Sequence, residues 1–260
     1  MDILVYILAV LVGVSLGLIG AGGSILTVPI LVYVMGMDAV TATSYSLFIV
    51  GITSLVGAGR SFLKSQVDLK TAMFFGIPSI LAAIVIRTWI ISIIPGTLFH
   101  VGAFVFTKHI FLLVLFAVLM IIASFNMIRP YTITLEKRIN YPSIILSGIV
   151  VGTLTGLVGA GGGFLIIPAL VLFLKLPMRK AIGTSLLIIT MNCLSSFIGG
   201  LFYTTVNWNF LLPFTACSIV GIFIGIGLSS KISGEKLKPA FGWVILIMGV
   251  FIIIKELFIY

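Results

Sequence analysis

The sequence predicts an all-α polytopic membrane protein built from two inverted-topology repeats, and three observations predict it. Apolar runs of spanning length alternate with short polar loops along the chain. A shift of 139 residues lays the second half on the first. The basic residues gather in alternate loops, and equivalent loops of the two halves differ in which carries them.

The apolar character comes first. Of 260 residues, 61% are hydrophobic and 8% charged, with a mean hydropathy of +1.36. A soluble domain carries about 25% charged residues. So little charge cannot clothe a surface in water, so lipid is the natural solvent. The net charge of +9 does not signal nucleic acid, because the basic residues lie between apolar runs rather than along one face. Positive-inside loops account for them. Cys193 and Cys217 stand 24 residues apart inside apolar segments, which gives neither a disulfide framework nor a metal-ligand spacing. The first apolar run has no positive flank and no small-residue cleavage site, so it is expected to remain as a helix.

A spanning helix needs roughly 20 apolar residues. Stretches near 3–20, 39–58, 71–94, 109–128, 142–159, 181–202, 209–229 and 239–259 qualify. Two runs, 24–36 and 163–174, are too short. Each follows a glycine cluster: Gly20-Ala21-Gly22-Gly23-Ser24 and Gly159-Ala160-Gly161-Gly162-Gly163.

That coincidence leads to the repeat. At a shift of 139, the halves align without a gap from Val12 to Ile86, with about twenty identities. Gly17 to Gly23 falls on Gly156 to Gly162, Leu26 on Leu165 and Pro29 on Pro168. Ala42, Ser46, Leu47 and Ile49 fall on Ala181, Ser185, Leu186 and Ile188. Apolar bias produces chance leucine matches, not five glycines and a proline in register. The expected division is a first transmembrane repeat over 1–128, a cytoplasmic linker over 129–141 and a second repeat over 142–260. Each repeat has a glycine-broken short helix pair and three spanning helices.

Charge sets the orientation. Loops 59–70, 129–141, 175–180 and 230–238 hold 12 of the 15 Lys and Arg, whereas loops 36–40, 95–107 and 203–209 hold none. With the basic loops in the cytoplasm, both termini fall outside. Loop 59–70 is then inside and its repeat partner 203–209 outside; 36–40 is outside and its partner 175–180 inside. The halves therefore run in opposite senses, a layout found in many secondary transporters.

A glycine-rich break at membrane depth is tolerated where it is buried in protein or lines a wet cavity. It also exposes helix N–H groups that attract anions. Inverted symmetry would bring the two breaks face to face, so Gly20, Ala21, Gly22, Gly23, Ser24, Gly159, Ala160, Gly161, Gly162 and Gly163 are candidate substrate-binding residues. The competing reading is close helix packing. Ser46, Thr184 and Ser185 either donate to an anion or bond between helices. Asn192, whose partner position is Thr53, is either glue between helices or a cavity residue. Cys193 reads as a packing residue.

Arg87 either snorkels to the interface or recruits anions at the outer mouth. Lys108 and His109 read as interface anchors and His100 as a loop residue. Asp38 and Asp68 read as helix caps. No Asp, Glu or His stands clearly mid-membrane, so no carboxylate proton relay is visible.

The doubled signature Gly-Leu-Ile-Gly-Ala-Gly-Gly-Ser…Pro29 and Gly-Leu-Val-Gly-Ala-Gly-Gly-Gly…Pro168 resembles the TauE/SafE family of sulfite exporters, also called toluene-sulfonate-uptake permeases. So does Ala181-Ile182-Gly183-Thr184-Ser185, whose counterpart in the first half has Thr43 and Ser44 at the second and third positions. The resemblance covers nearly the whole chain. It implies a cytoplasmic-membrane permease for sulfur-containing anions, sulfonates or organic carboxylates.

The function expected is secondary transport of a small sulfur-containing anion such as sulfite or an organosulfonate, by alternating access about a midplane site. The alternatives are a carrier of small carboxylates and a non-transporting subunit of a membrane complex. An enzyme is disfavoured: there is no HExxH, no paired aspartates and no Gly-x-Ser-x-Gly elbow. The expected partners are the anion and the bilayer, with no cofactor and no nucleic acid. Protons or another coupling ion, and a homo-oligomer, stay open.

Overall fold

The computed structural model describes residues 3–20, 22–86, 97–101, 104–128, 141–158, 163–174, 176–200, 206–229 and 234–255. The expected linker falls almost wholly outside these residues, and so does Arg87. The described elements run α1 (Ile3–Ile19), α2 (Gly22–Pro29), α3 (Ala39–Leu63), α4 (Leu69–Val85), β1 (Thr97–Val101), β2 (Phe104–Thr107), α5 (Lys108–Ile128), α6 (Tyr141–Val158), α7 (Gly163–Pro168), α8 (Met178–Gly200), α9 (Trp208–Ser229) and α10 (Gly234–Ile254). Thr41–Leu63, Met178–Gly199 and Trp208–Ser229 are long and apolar enough to cross a membrane, and Leu4–Ile19, Leu69–Val85, Pro142–Leu157 and Gly242–Ile254 are shorter apolar helices. The first three of these lie near the lower bound of about 17 residues for a span, and Gly242–Ile254 is the apolar part of the longer α10. Met73, Phe74, Ile77, Leu81 and Ile84 leave one flank of α4 exposed, as a lipid-facing flank requires.

One departure from an all-helical chain lies in the expected loop 95–107. Thr97–Val101 and Phe104–Thr107 pair antiparallel, with His100 opposite Val105 and Val101 opposite Phe104. The segment is rich in β-branched and aromatic residues, which favour strands over a plain loop.

The two short helices share an unusual continuation. α2 passes at Pro29 into a π-helical turn, Ile30–Val34, and α7 passes at Pro168 into another, Ala169–Phe173. Proline lacks the N–H that the turn before it needs and crowds the carbonyl four residues back, so the helix widens there. The exits match too. The N–H of Met37 donates to Leu31 O at 3.0 Å, and that of Leu176 donates to Leu170 O at 3.1 Å.

The most extensive helix packing joins α1 to α9, α5 to α10, α4 to α6 and α3 to α8. Each pair takes one helix from residues 3–128 and one from 141–255, so the two stretches of chain interlock. Glycines set the first and third of these joints. Gly13 and Gly17 of α1 lie against Ser218, Ile222 and Gly225 of α9. Gly148, Gly152 and Gly156 of α6 lie against Phe75, Ser79 and Ala83 of α4. Contacts advance together along both partners, so each pair is parallel. A Cβ on Gly13 would collide with the Ser218 carbonyl oxygen, and one on Gly152 with that of Ser79. Small residues let membrane helices approach this closely.

The α3–α8 pair is antiparallel. Gly51 lies against Leu194, Gly57 against Leu186, and Gly183 against Ser61. α4 also packs on α8, and α9 on α3. Among the described residues, the buried polar side chains concentrate on this pair.

Candidate functional site

α1 stops at Gly20, whose φ of +79° lies in the left-handed region open to glycine. Its N–H donates to Leu16 O at 2.6 Å, closing the last turn. A Cβ at this position would meet Ile182 Cγ2 at 2.8 Å and Ser185 Oγ at 3.1 Å. Gly20 is thus pressed on α8. The Ser185 hydroxyl lies 2.8 Å from its own helix's Ile182 carbonyl oxygen and 3.3 Å from that of Gly20. Two candidate residues, 165 positions apart, therefore touch.

The rest of the first cluster follows into α2. Gly22, Gly23 and Ser24 form its first turn, with Gly23 buried and close to Leu16. Gly163 opens α7 and is buried. Ala21, Gly159, Ala160, Gly161 and Gly162 lie outside the described residues. α2 and α7 pack on each other, so the segments that follow the two glycine clusters do meet.

Along α3 and α8 runs a line of buried polar side chains: Ser46, Thr53, Ser54, Thr184, Ser185, Thr190 and Asn192. Asn192 Nδ2 donates to Ser79 Oγ of α4 at 3.2 Å. Its Oδ1, the Thr53 hydroxyl and the Ser54 hydroxyl are buried without a hydrogen-bond partner. A buried unmatched polar atom costs about 1–3 kcal/mol, so three on one helix pair stand out against the apolar packing around them. Thr53 and Asn192 occupy positions 139 apart. Cys193 is fully buried and lies beside Gly51.

Thr184 and Ser46 sit in different surroundings. Thr184 Oγ1 accepts the backbone N–H of Asp68 at 2.9 Å, which ties α8 to the start of α4. Ser46 is buried on α3 directly after Tyr45, and the phenolic oxygen of Tyr45 accepts the backbone N–H of Asn207 at 2.7 Å. Sequence reasoning missed Tyr45, Ser54 and Ser79. Thr53-Ser54, a polar pair inside an apolar run, was the available signal for Ser54.

Asp38 and Asp68 are caps, as expected. Asp38 Oδ2 accepts from Thr41 N at 2.9 Å to start α3, and Asp68 Oδ1 accepts from Thr71 N at 3.2 Å to start α4. Asn207 does the same for α9 through Phe210 N, at 3.3 Å. Among the described residues no three His, Cys, Asp or Glu cluster as metal ligands would.

The ends of the bundle differ. Gln66, Asp68, Gly183 and Thr184 bring the basic stretches 59–70 and 175–180 together at one end. There Arg60 lies over the Phe223 ring, 5.4 Å from its centroid. At the other end Met37, Asp38, Thr41, Tyr45, Asn207 and Phe210 line a cavity of about 290 Å³.

Comparison with known proteins gives one answer throughout. The chain is 29% identical over 253 residues to a "Probable membrane transporter protein" of Xylella fastidiosa, covering 94% of this chain and 91% of that one. It is 28% identical over 259 residues to "Probable membrane transporter protein YjnA" of Bacillus subtilis, covering 96% and 98%. A probable membrane transporter protein of Methanocaldococcus jannaschii is 24% identical over 265 residues, covering 96% and 95%. No solved structure matches the chain. The family model described as "Sulfite exporter TauE/SafE" matches residues 5–252, and the chain belongs to that family of membrane transporter proteins.

Proposed function

We propose that the protein carries a small sulfur-containing anion, such as sulfite or an organosulfonate, by alternating access about a site on α3 and α8. The observation that carries the reading is the junction of Gly20 with Ser185, where the break after α1 meets the helix that follows the other break. The first turn of a helix leaves N–H groups without intrahelical partners, and α2 begins its own at Gly22, next to this junction. The unmatched oxygens of Thr53, Ser54 and Asn192 lie farther along the same helix pair. The Thr53 and Ser54 hydroxyls and the second Nδ2 hydrogen of Asn192 can donate to sulfite oxygens, while Asn192 Oδ1 only accepts; none of them carries a fixed positive charge, which would hold a dianion too tightly to release it.

The reading takes the chain as two oppositely oriented copies. The antiparallel course of α3 and α8, which are equivalent at a shift of 139, supports it. The moving bodies are then not residues 1–128 against 142–260. α1 is seated on α9 and α6 on α4, so each body contains helices from both copies. Motion falls on the contacts of α3 and α8 with these seated pairs.

The test is flux in proteoliposomes. Labelled sulfite should enter or leave saturably, with competition from small sulfonates exceeding that from carboxylates. A thermal-shift screen across sulfite, sulfate, thiosulfate, sulfoacetate and simple carboxylates should show stabilisation by the carried class. Absence of sulfite flux and of any anion-dependent shift in folded protein would sink the proposal.

A further inference from the structure

We propose that Tyr45 and Thr184 are the gate residues at the two ends of the transport path. Each would hold its end shut through one hydrogen bond to a backbone N–H at the start of another helix. The inference rests on the alternating-access reading and adds to it where the path closes.

The two bonds are equivalents of each other. Tyr45 and Thr184 stand 139 residues apart, and so do their donors, Asp68 and Asn207. Tyr45 Oη accepts from Asn207 N at 2.7 Å, and Thr184 Oγ1 accepts from Asp68 N at 2.9 Å. The acceptors are different chemical groups, a phenol and an aliphatic hydroxyl, yet each takes the same backbone bond. Both side chains are buried, at 4% and 0% exposure. Both donors are helix caps, so breaking either bond frees the start of α9 or of α4 from its neighbour on α3 or α8.

The bonds lie at opposite ends of the buried polar line. α8 runs antiparallel to α3, and Gly183 meets Ser61. From Tyr45 to Ser61 the rise along α3 is about 24 Å, most of a bilayer core. Ser46 and Ser185 follow the two gate residues directly on the inner side, and Thr53, Ser54 and Asn192 lie between.

The two ends are lined differently. The cavity of about 290 Å³ is lined by both partners of this bond, Tyr45 and Asn207, and by Phe210. Tyr45 stacks on Phe210, with centroids 6.0 Å apart and planes at 23°. At the other end Gly183 is pressed on the Gln66 carbonyl. The arrangement has a vestibule at the Tyr45 end, with both gates closed.

The test uses sided labelling of the full chain in vesicles. In a Cys193→Ser, Cys217→Ser background, Ser46→Cys and Ser185→Cys report each side of the polar line to a membrane-impermeant sulfonated methanethiosulfonate. Tyr45→Phe keeps the ring and removes the acceptor. It should raise labelling of Ser46→Cys about three- to tenfold from the cavity face alone, the effect of one hydrogen bond on the open population. Thr184→Val should do the same for Ser185→Cys from the basic-loop face, and Thr184→Ser should restore the slow rate. Unchanged rates, or rises at both reporters from both faces, would overturn the proposal. Hydrogen–deuterium exchange in the chain without reporter cysteines is the second readout. Tyr45→Phe should speed exchange at 206–211 only, and Thr184→Val at 68–73 only; acceleration of both segments by either variant overturns it. Sulfite flux by the parent protein stands apart: no flux with sided labelling intact removes the substrate and leaves the gates.

Discussion

The backbone N–H of Asp68 donates to the Thr184 hydroxyl at 2.9 Å across 116 residues of chain. The same Asp68 caps α4 with its carboxylate, so one residue fixes both the start of a helix and its seat on α8. Thr184→Val takes the partner from that half-buried N–H. The expected loss is about 0.5–1.5 kcal/mol, read as a lower unfolding midpoint in detergent, with Thr184→Ser close to the parent. An unchanged midpoint for Thr184→Val would show that the bond carries no stability.

Gly13 and Gly152 are expected to be the least replaceable positions in the fold. Each faces a carbonyl oxygen of the neighbouring helix with no space for a Cβ. Overpacking costs typically about 1–3 kcal/mol and more where backbone must move. Gly13→Val and Gly152→Val should therefore lose most monodisperse protein on extraction. Gly59→Val, at a position with open space, should not. Equal yields from all three would contradict the packing described.

Gly20→Ala tests the turn after α1 separately from the fold. A left-handed residue with a Cβ costs roughly 1–2 kcal/mol, and this one also meets Ile182. The variant should insert and purify while transport falls sharply. Parental flux would mean that the Gly20 turn is only a connector.

Asn192 can be separated from its partner. If the amide only tied α8 to α4, Asn192→Ala and Ser79→Ala would act alike, since they break the same bond. The expected result is that Asn192→Ala lowers flux about tenfold beyond Ser79→Ala, the value of one hydrogen bond to the passing solute. Equal losses would assign Asn192 to packing.

The interlocked pairing predicts the behaviour of a divided chain. Residues 1–128 and 142–260, expressed apart, each leave a glycine-lined helix without its partner. Neither should accumulate alone, and co-expression should recover both as one complex. Stable accumulation of either piece by itself would mean that the inter-half packing is dispensable.

Much of this architecture was legible from residue order. The short runs 24–36 and 163–174 became α2 and α7 with their π-helical turns, because Gly and Pro act through backbone geometry that any neighbour must accept. Asp38 and Asp68 were readable as caps for the same reason. The contact of Gly20 with Ser185 sets the first break against the other half, while Gly159, Ala160, Gly161 and Gly162 of the second lie outside the described residues. Other features left little trace. Glycine spacing along α1 says which face is narrow but not that α9 fills it. The bonds of Tyr45 and Thr184 end on backbone N–H groups, which every residue but proline has, so the donors carry no signature. The pairing of Thr97–Val101 with Phe104–Thr107 was hidden because the apolar residues there fit a loop as well as a strand.

The seating of α1 on α9 has a consequence for biogenesis. Gly13 must wait for Ser218 to be synthesised before its narrow face is covered. At 5–20 residues per second that delay is about 10 to 40 s. Meanwhile the nascent first helix stands in lipid beside the translocation machinery with a groove that any small-residue helix could fill. Slow elongation in the second half of the message should therefore raise misassembly and turnover.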